Sequence, residues 1–322
     1  MENDILFSEL LKQYYELKIE ASNRAKTTKW VYQSQVKLLG KEFANLKLSE
    51  ITTSVYQKIL NRLGKRMIRQ SLAYYNGIVK NTVKMALADG YNFRDFTQYV
   101  ELFSEKTSKN RSDKYLDSVE EILRLKKFLR EHLDYQENPY YHFFYFCLIL
   151  GTRIRETAGI TLDNIDFENG LIHIEKSFDV KTQTIRPLKT AYSERYLPIS
   201  SEDLEILKAL TEITCHDDNK EKFIFFFKGF CSSKSHVRII PSSTALNHHF
   251  RKCLKKVGIE KDYTLYSLRH DYISYLKNQG IKDDLIIKFT GHKDDTMIRK
   301  IYGGVLKEEY LEIAENVRNI WT

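Results

Sequence analysis

Apolar residues recur at helical spacing through the first hundred positions. From Phe7 to Ile19 they set Leu10, Leu11, Tyr14, Tyr15 and Leu17 near one face. A second periodic stretch runs from Thr28 to Phe43. A third follows Ser49–Thr52, with Val55, Ile59, Leu60 and Leu63 as its stripe, and a fourth covers Ile68 to Asp89 and stops at Gly90. Residues 1–104 are therefore expected to form a small helical domain. The next segment, 105–115, has no apolar side chain from Glu105 to Lys114 and reads as a basic linker.

Residues 116–322 carry a different pattern. Ser118 and Glu121 have capping-box spacing and open a helix to about Leu133. Tyr140 to Leu150 is apolar on every side, as a buried helix leading into Gly151 would be. Alternation then predicts a strand over Leu171–Phe178, further strands at Thr184–Arg186 and Arg195–Ile199, and a short apolar strand at Phe223–Phe227. Helices are expected at Glu202–Ile213, Ser243–Val257, Tyr266–Gln279 and Asp283–Phe289, with an amphipathic one at Leu306–Trp321. The fold class is mainly α with a small β-sheet, an α+β arrangement.

Composition narrows this picture. A chain of 322 residues favours two domains, and 42% hydrophobic with 29% charged residues excludes wholesale disorder. The excess of 51 Lys and Arg over 43 Asp and Glu favours a polyanionic partner. Cys147, Cys215, Cys231 and Cys253 are scattered without a CxxC pair, which points to a reduced intracellular protein without a structural metal. The N-terminus has acidic residues where a signal peptide would be basic and apolar. His142–Leu150, the longest apolar run, is too short to span a bilayer. A soluble, cytoplasmic chain with no membrane partner is expected.

Four segments of the second domain carry candidate chemistry: Gly151-Thr-Arg153-Ile-Arg-Glu156; Lys189-Thr-Ala-Tyr-Ser-Glu-Arg195-Tyr-Leu-Pro198; Tyr266-Ser-Leu-Arg269-His-Asp271; and Gly291-His292 followed by Tyr302. Taken singly, each has a plain structural reading. Arg153 can pair with Glu156, Lys189 can be a surface lysine like Lys181, and His292 can be a cap. Tyr310 rivals Tyr302, but it lies on the apolar stripe of the last helix, whereas Tyr302 precedes Gly303-Gly304 in a break between helices. His248, His249 and His270 lack a carboxylate at ligand spacing, so structural roles are expected. Taken together, the residue types suit cleavage of a phosphodiester. Two guanidinium forks match a phosphate bidentately, and a tyrosine hydroxyl supplies a nucleophile.

In order and spacing these segments resemble the motif boxes of the tyrosine recombinases of the phage-integrase type. The resemblance is close from Ser118 to the C-terminus and covers the N-terminal helices only as a core-binding architecture. It implies a C-shaped clamp on DNA and a 3′-phosphotyrosine intermediate on Tyr302. It further implies Arg153 and Arg269 on the phosphate, Lys189 as general acid to the 5′-hydroxyl, His292 on a non-bridging oxygen, and Glu156 orienting the arginines. No metal, ATP or organic cofactor is called for. The implied partners are double-stranded DNA with inverted-repeat core sites, a homo-tetramer on DNA through the exchange helix 306–321, and a directionality factor. Lys65, Arg66 and Arg69 in the helical domain, with Lys106, Lys109 and Arg111 in the linker, are the candidate phosphate contacts.

Integration and excision of a phage or conjugative element is the expected role. A type IB topoisomerase, a chromosome-dimer resolvase and a non-catalytic DNA-binding protein are the alternatives. Many element integrases carry a small arm-binding domain ahead of these two, and nothing before Phe7 resembles one. The sequence departs from the family pattern at Tyr266, where the family has His. A phenol can donate to a phosphate oxygen, but with an ordinary pKa of about 10 it is a poor proton shuttle. Proton transfer is then expected to rest more on Lys189 and His292.

Overall fold

Helix α1 (Phe7–Tyr14) buries Phe7, Leu10, Leu11 and Tyr14, the i, i+3, i+4, i+7 face that its spacing predicts. It continues as a π-helical stretch, Tyr15–Glu20. The computed structural model describes residues 5–107, 116, 119–227, 239–261, 263–291 and 315–320. Helices α2 (Lys26–Phe43), α3 (Thr53–Gly64) and α4 (Arg69–Ala88) complete the first unit, Met1–Lys109. Thr52 caps α3 by accepting the Val55 N–H at 3.3 Å. The four helices close over an aromatic centre in which the rings of Phe7 and Phe43 lie 4.5 Å apart, with Phe96 edge-on to both Phe7 and Tyr56.

Gly64 ends α3 for a steric reason. A Cβ there would lie 2.0 Å from the Phe103 carbonyl oxygen, so the chain returning at 103–106 can run against the helix only because position 64 has no side chain. That return is fastened by Glu105 N–H to Gly64 O at 3.2 Å, Ser104 Oγ to Met67 O at 2.7 Å, and a bridge between Ile68 and Lys106. Glu105 and Lys106, expected in the linker, are thus bound to the helical unit.

The second unit, Asn110–Thr322, has its own core. Helix α5 (Val119–Glu131) leads to α6 (Pro139–Leu150), whose twelve residues are all buried. Asn138 caps α6 by accepting the Tyr140 N–H, and Gly151 ends it in the left-handed region at φ +57°. A four-residue helix, α7 (Ile154–Thr157), comes next, then strands β1 (Ile165–Asp166), β2 (Leu171–Ile174), β3 (Lys176–Asp179), β4 (Thr184–Pro187) and β5 (Arg195–Pro198). Helices α8 (Ser201–Thr214), α9 (Ser243–Lys256), α10 (Ser267–Asn278) and α11 (Asp283–Thr290) complete the named elements. Among the described residues no helix is long and apolar enough to cross a membrane.

Two strand expectations need correction. Leu171–Phe178 is two strands in two sheets: β2 pairs antiparallel with β1 and β5, while β3 pairs, among the described residues, with β4 alone. The cause is the loop 188–194, which separates β4 from β5, so one extended segment passes from one partner to the other at Glu175. Phe223–Phe227 is buried but is not a strand. Its backbone is satisfied piecemeal, by one bridge from Phe223 to Thr161, by Ile160 O for the Ile224 N–H, by Tyr135 Oη for the Phe226 N–H, and by Ile239 O for the Phe227 N–H. Hydrophobicity there reports burial on all sides, which periodicity alone does not separate from a strand.

Of the terminal segment 306–321, residues 315–320 are described and are helical, and they rest on their own unit. Val317 is buried, Arg318 donates to the carbonyls of Asn169 and Gly170, and the Tyr275 hydroxyl donates to Ile320 O at 3.2 Å.

Candidate active site

The left-handed turn at Gly151 sends the chain from α6 into α7 with Arg153 at the N-cap and Glu156 three residues on. Glu156 Oε2 accepts the Arg153 N–H at 3.1 Å, and Oε1 accepts Arg153 Nη1 at 2.6 Å. The R-x-x-E spacing is thus a capping arrangement that ties the arginine down by backbone and side chain together. Gly151 has no room for a side chain: a Cβ would lie 2.1 Å from the Tyr272 ring of α10.

Two more guanidiniums converge on the same carboxylate. Arg195 Nη2 donates to Glu156 Oε2 at 2.8 Å, and Arg269 Nη1, two residues into α10, stands 4.0 Å from that oxygen. Burial alone would raise the Glu156 carboxyl, but Arg195 and then Arg153 outweigh it and hold it below its ordinary value. Burial, followed by the nearby Arg153, pulls Arg269 down to about 10, which leaves it charged at neutral pH. Among the described residues, one carboxylate among three arginines leaves an excess of positive charge, an environment that favours an anion.

The end of α11 receives all three arginines. Phe289 O accepts Arg195 Nε at 2.6 Å, Thr290 O accepts Arg269 Nη2, and Gly291 O accepts Arg153 Nη2 at 3.4 Å. Three successive carbonyls at a helix C-terminus, where the helix dipole is negative, therefore each hold one cation. Gly291 caps this end in the left-handed region at φ +61°. A Cβ on it would sit 3.2 Å from Ser193 Cα and 3.3 Å from Arg195 Nη1.

Arg153, Glu156 and Arg269 are brought together, but the two arginines are not equivalent. Arg153 has 37% of its side chain exposed, whereas Arg269 is 1% exposed and spends two donors on the carbonyls of Gly151 and Thr290. Its Nε is buried with no hydrogen-bond partner among the described residues, an unused donor in that part of the cluster. Tyr266, just ahead of α10, is 48% exposed and meets the His270 ring edge-on at 5.1 Å. Lys189 is exposed on the loop between β4 and β5. His292 and Tyr302 lie outside the described residues.

In the first unit, Lys65, Arg66 and Arg69 are exposed around the α3–α4 turn, and the Ile68–Lys106 bridge brings the exposed Lys106 beside them. Arg66 shares Glu42 with Arg62, whereas Lys65 and Arg69 form no ion pair among the described residues. Lys109 and Arg111 lie outside the described residues.

Sequence reasoning placed Arg195 in the second candidate segment but gave it no role; it contacts Glu156, Ser193 and Phe289. A signal was present: in Arg195-Tyr-Leu the alternation aims Arg195 and Leu197 inward and Tyr196 outward, and an inward-facing arginine needs partners.

Comparison with known proteins bears on the family and the fold. The model of the phage integrase family matches residues 116–309. The integrase of Staphylococcus phage L54a is 24% identical over 98% of this chain and 93% of its own length. The transposase from transposon Tn916 of Enterococcus faecalis is 26% identical over 47% of this chain and 39% of its own. Among solved structures, the Tn1549 transposon integrase in complex with transposon right-end DNA superposes with a TM-score of 0.69 at 17% identity, covering 97% of this chain and 99% of that one. A lambda integrase tetramer bound to a Holliday junction superposes at 0.65 with 18% identity, covering 95% and 80%. The chain belongs to the phage integrase family, the tyrosine recombinases that break and rejoin DNA at specific sites.

Proposed function

We propose that this recombinase integrates and excises a phage or conjugative element by attack of Tyr302 on a scissile phosphate, leaving a 3′-phosphotyrosine and a free 5′-hydroxyl. The observation that carries this reading is the cluster of Arg153, Arg195 and Arg269 around the carboxylate of Glu156, the one acidic group it holds among the described residues. It is a positive site whose exposed member, Arg153, is the one able to meet a phosphate from solvent. Arg269 stabilises the same charge from beneath, through its unused Nε–H and the field of a buried cation. Lys189 protonates the leaving oxygen, His292 holds a non-bridging oxygen, and Tyr266 donates a hydrogen bond to the phosphate without moving a proton.

The DNA is double-stranded with inverted-repeat core sites, and Lys65, Arg66, Arg69, Lys106, Lys109 and Arg111 contact its backbone. Strand exchange between two duplexes takes four cleavages, hence a tetramer, with the segment 306–321 docking on a neighbouring protomer. That docking would have to release Arg318 from Asn169 and Gly170 and Ile320 from Tyr275. The lambda integrase tetramer on a Holliday junction supports this assembly by likeness of fold.

A nicked suicide duplex, whose short 5′ fragment diffuses away after cleavage, tests the chemistry. The wild-type chain should accumulate a covalent protein–DNA adduct, and Tyr302→Phe should abolish it. An adduct of undiminished yield in Tyr302→Phe would overturn the assignment of the nucleophile. Arg153→Ala should slow its formation by about 10²–10³-fold, as for other donors to transition-state charge.

A further inference from the structure

Arg195 touches three segments of the site at once. It lies on β5, is 5% exposed, and spreads its guanidinium over Glu156 Oε2 at 2.8 Å, Ser193 O at 2.7 Å and Phe289 O at 2.6 Å. The Ser193 bond is the informative one. Ser193 closes the turn of the loop 188–194: its N–H donates to Thr190 O at 3.0 Å, and its hydroxyl lies 3.0 Å from Thr190 Oγ1. Thr190 is the residue directly after Lys189.

A short chain of bonds therefore runs from the lysine-bearing loop through Ser193 and Arg195 to Glu156, and from Glu156 to Arg153. The other end of that loop has weaker anchorage. Strand β4 is exposed along its whole length and, among the described residues, is paired only with β3. At the β5 end, by contrast, the Ser193 turn packs against Gly291, the residue at which a Cβ would crowd both Ser193 and Arg195.

We infer that Arg195 is a positioning residue for proton transfer: it holds the Lys189 loop in register with the Arg153–Glu156 pair, so that the lysine reaches the leaving oxygen of the phosphate that Arg153 binds. This rests on the reading of Lys189 as the proton donor. The planar fork is needed for the task, because three acceptors in three directions cannot be met by the single charged point of a lysine. A purely structural role, in which Arg195 only neutralises Glu156, would make no distinction between leaving groups.

The leaving group supplies the test. Two suicide duplexes are compared in single-turnover cleavage, one ordinary and one with sulfur replacing the 5′-bridging oxygen of the scissile phosphate. In the second, the bond from the Tyr302 oxygen to phosphorus forms as the P–S bond breaks. The 5′-sulfur then departs as a thiolate, which needs no proton donor because thiols ionise near pH 8.5. Arg195→Lys and Arg195→Met should slow cleavage of the oxygen substrate by roughly 10²-fold, the usual scale of general-acid catalysis, and that of the sulfur substrate by at least about tenfold less.

The ratio of the two rate constants within one variant does not depend on the fraction folded. Equal slowing on both substrates would overturn the inference and leave Arg195 a structural partner of Glu156. Lys189→Ala separates the two readings. If it too is rescued by sulfur, the proton-donor reading stands whatever Arg195 does. If it is not, that reading falls and the inference falls with it.

Discussion

Asp271 follows Arg269 by two residues, yet it faces a different task. Its Oδ1 accepts the Leu116 N–H at 3.0 Å, and its Oδ2 is buried with no hydrogen-bond partner among the described residues. Burial pushes this carboxyl up to about 8, from an ordinary 3.8. The folded chain therefore binds a proton here that the unfolded chain has already lost. The consequence for stability is fully favourable below about pH 4 and is lost as pH rises from there through about 8. Asp271→Asn keeps an acceptor for Leu116 and cannot ionise. Its thermal midpoint relative to wild type should rise steadily between pH 5 and about 8.5; parallel pH profiles for the two chains would refute the assignment. The residues with fixed offsets, Arg153 with Glu156 and Arg269, could be read from sequence because their spacing is itself the geometry. Alternation marks Arg195 only as inward-facing, and nothing local marks Asp271, because their partners Glu156, Phe289 and Leu116 are set by packing between distant segments.

Helices were easier to foresee than strands. α1, α3 and α6 follow from apolar spacing and end signals, since both are local. The split of β2 from β3 depends on which strand arrives alongside, and α7 is too short to show a period. The turn between α6 and α7 offers a sharp check on how an element end builds the site. Gly151→Ala would combine a left-handed backbone with a Cβ placed inside the Tyr272 ring. It should destabilise the second unit by about 3 kcal/mol or more in urea unfolding. Gly258→Ala, at φ +78° but with nothing within 4 Å, carries only the backbone penalty and should cost roughly 1–2 kcal/mol. Equal losses would mean that the close approach of Tyr272 to Gly151 has no energetic weight.

On the scale of the whole chain, two cores are separate in sequence: one centred on Phe7, Phe43, Tyr56 and Phe96, the other on α6 and the segments around it. A fragment of residues 1–109 should therefore unfold cooperatively on its own, with a urea midpoint matching one of two transitions in the full chain. A non-cooperative melt of that fragment would show that its core is incomplete. The division into helical and mixed halves was visible as a change of period and in the apolar-free stretch after Glu105. The point where the first unit ends was not, because Gly64 leaves room for residues 103–106 to run back onto α3, where they are held largely by backbone bonds that leave no mark in the sequence.

The seating of Arg195, Arg269 and Arg153 on Phe289, Thr290 and Gly291 makes α11 a gauge as well as a support. Each helical residue turns the axis by about 100°. One residue inserted or deleted within Asp283–Thr290 would swing all three carbonyls away from their cations together, and would re-aim the chain that leaves Gly291 toward His292 and Tyr302. Changes of length in this family member are thus expected to be tolerated in open turns such as Gly258, and refused in the eight residues of α11. A deletion scan across Gly258–Gly291 would map that tolerance directly.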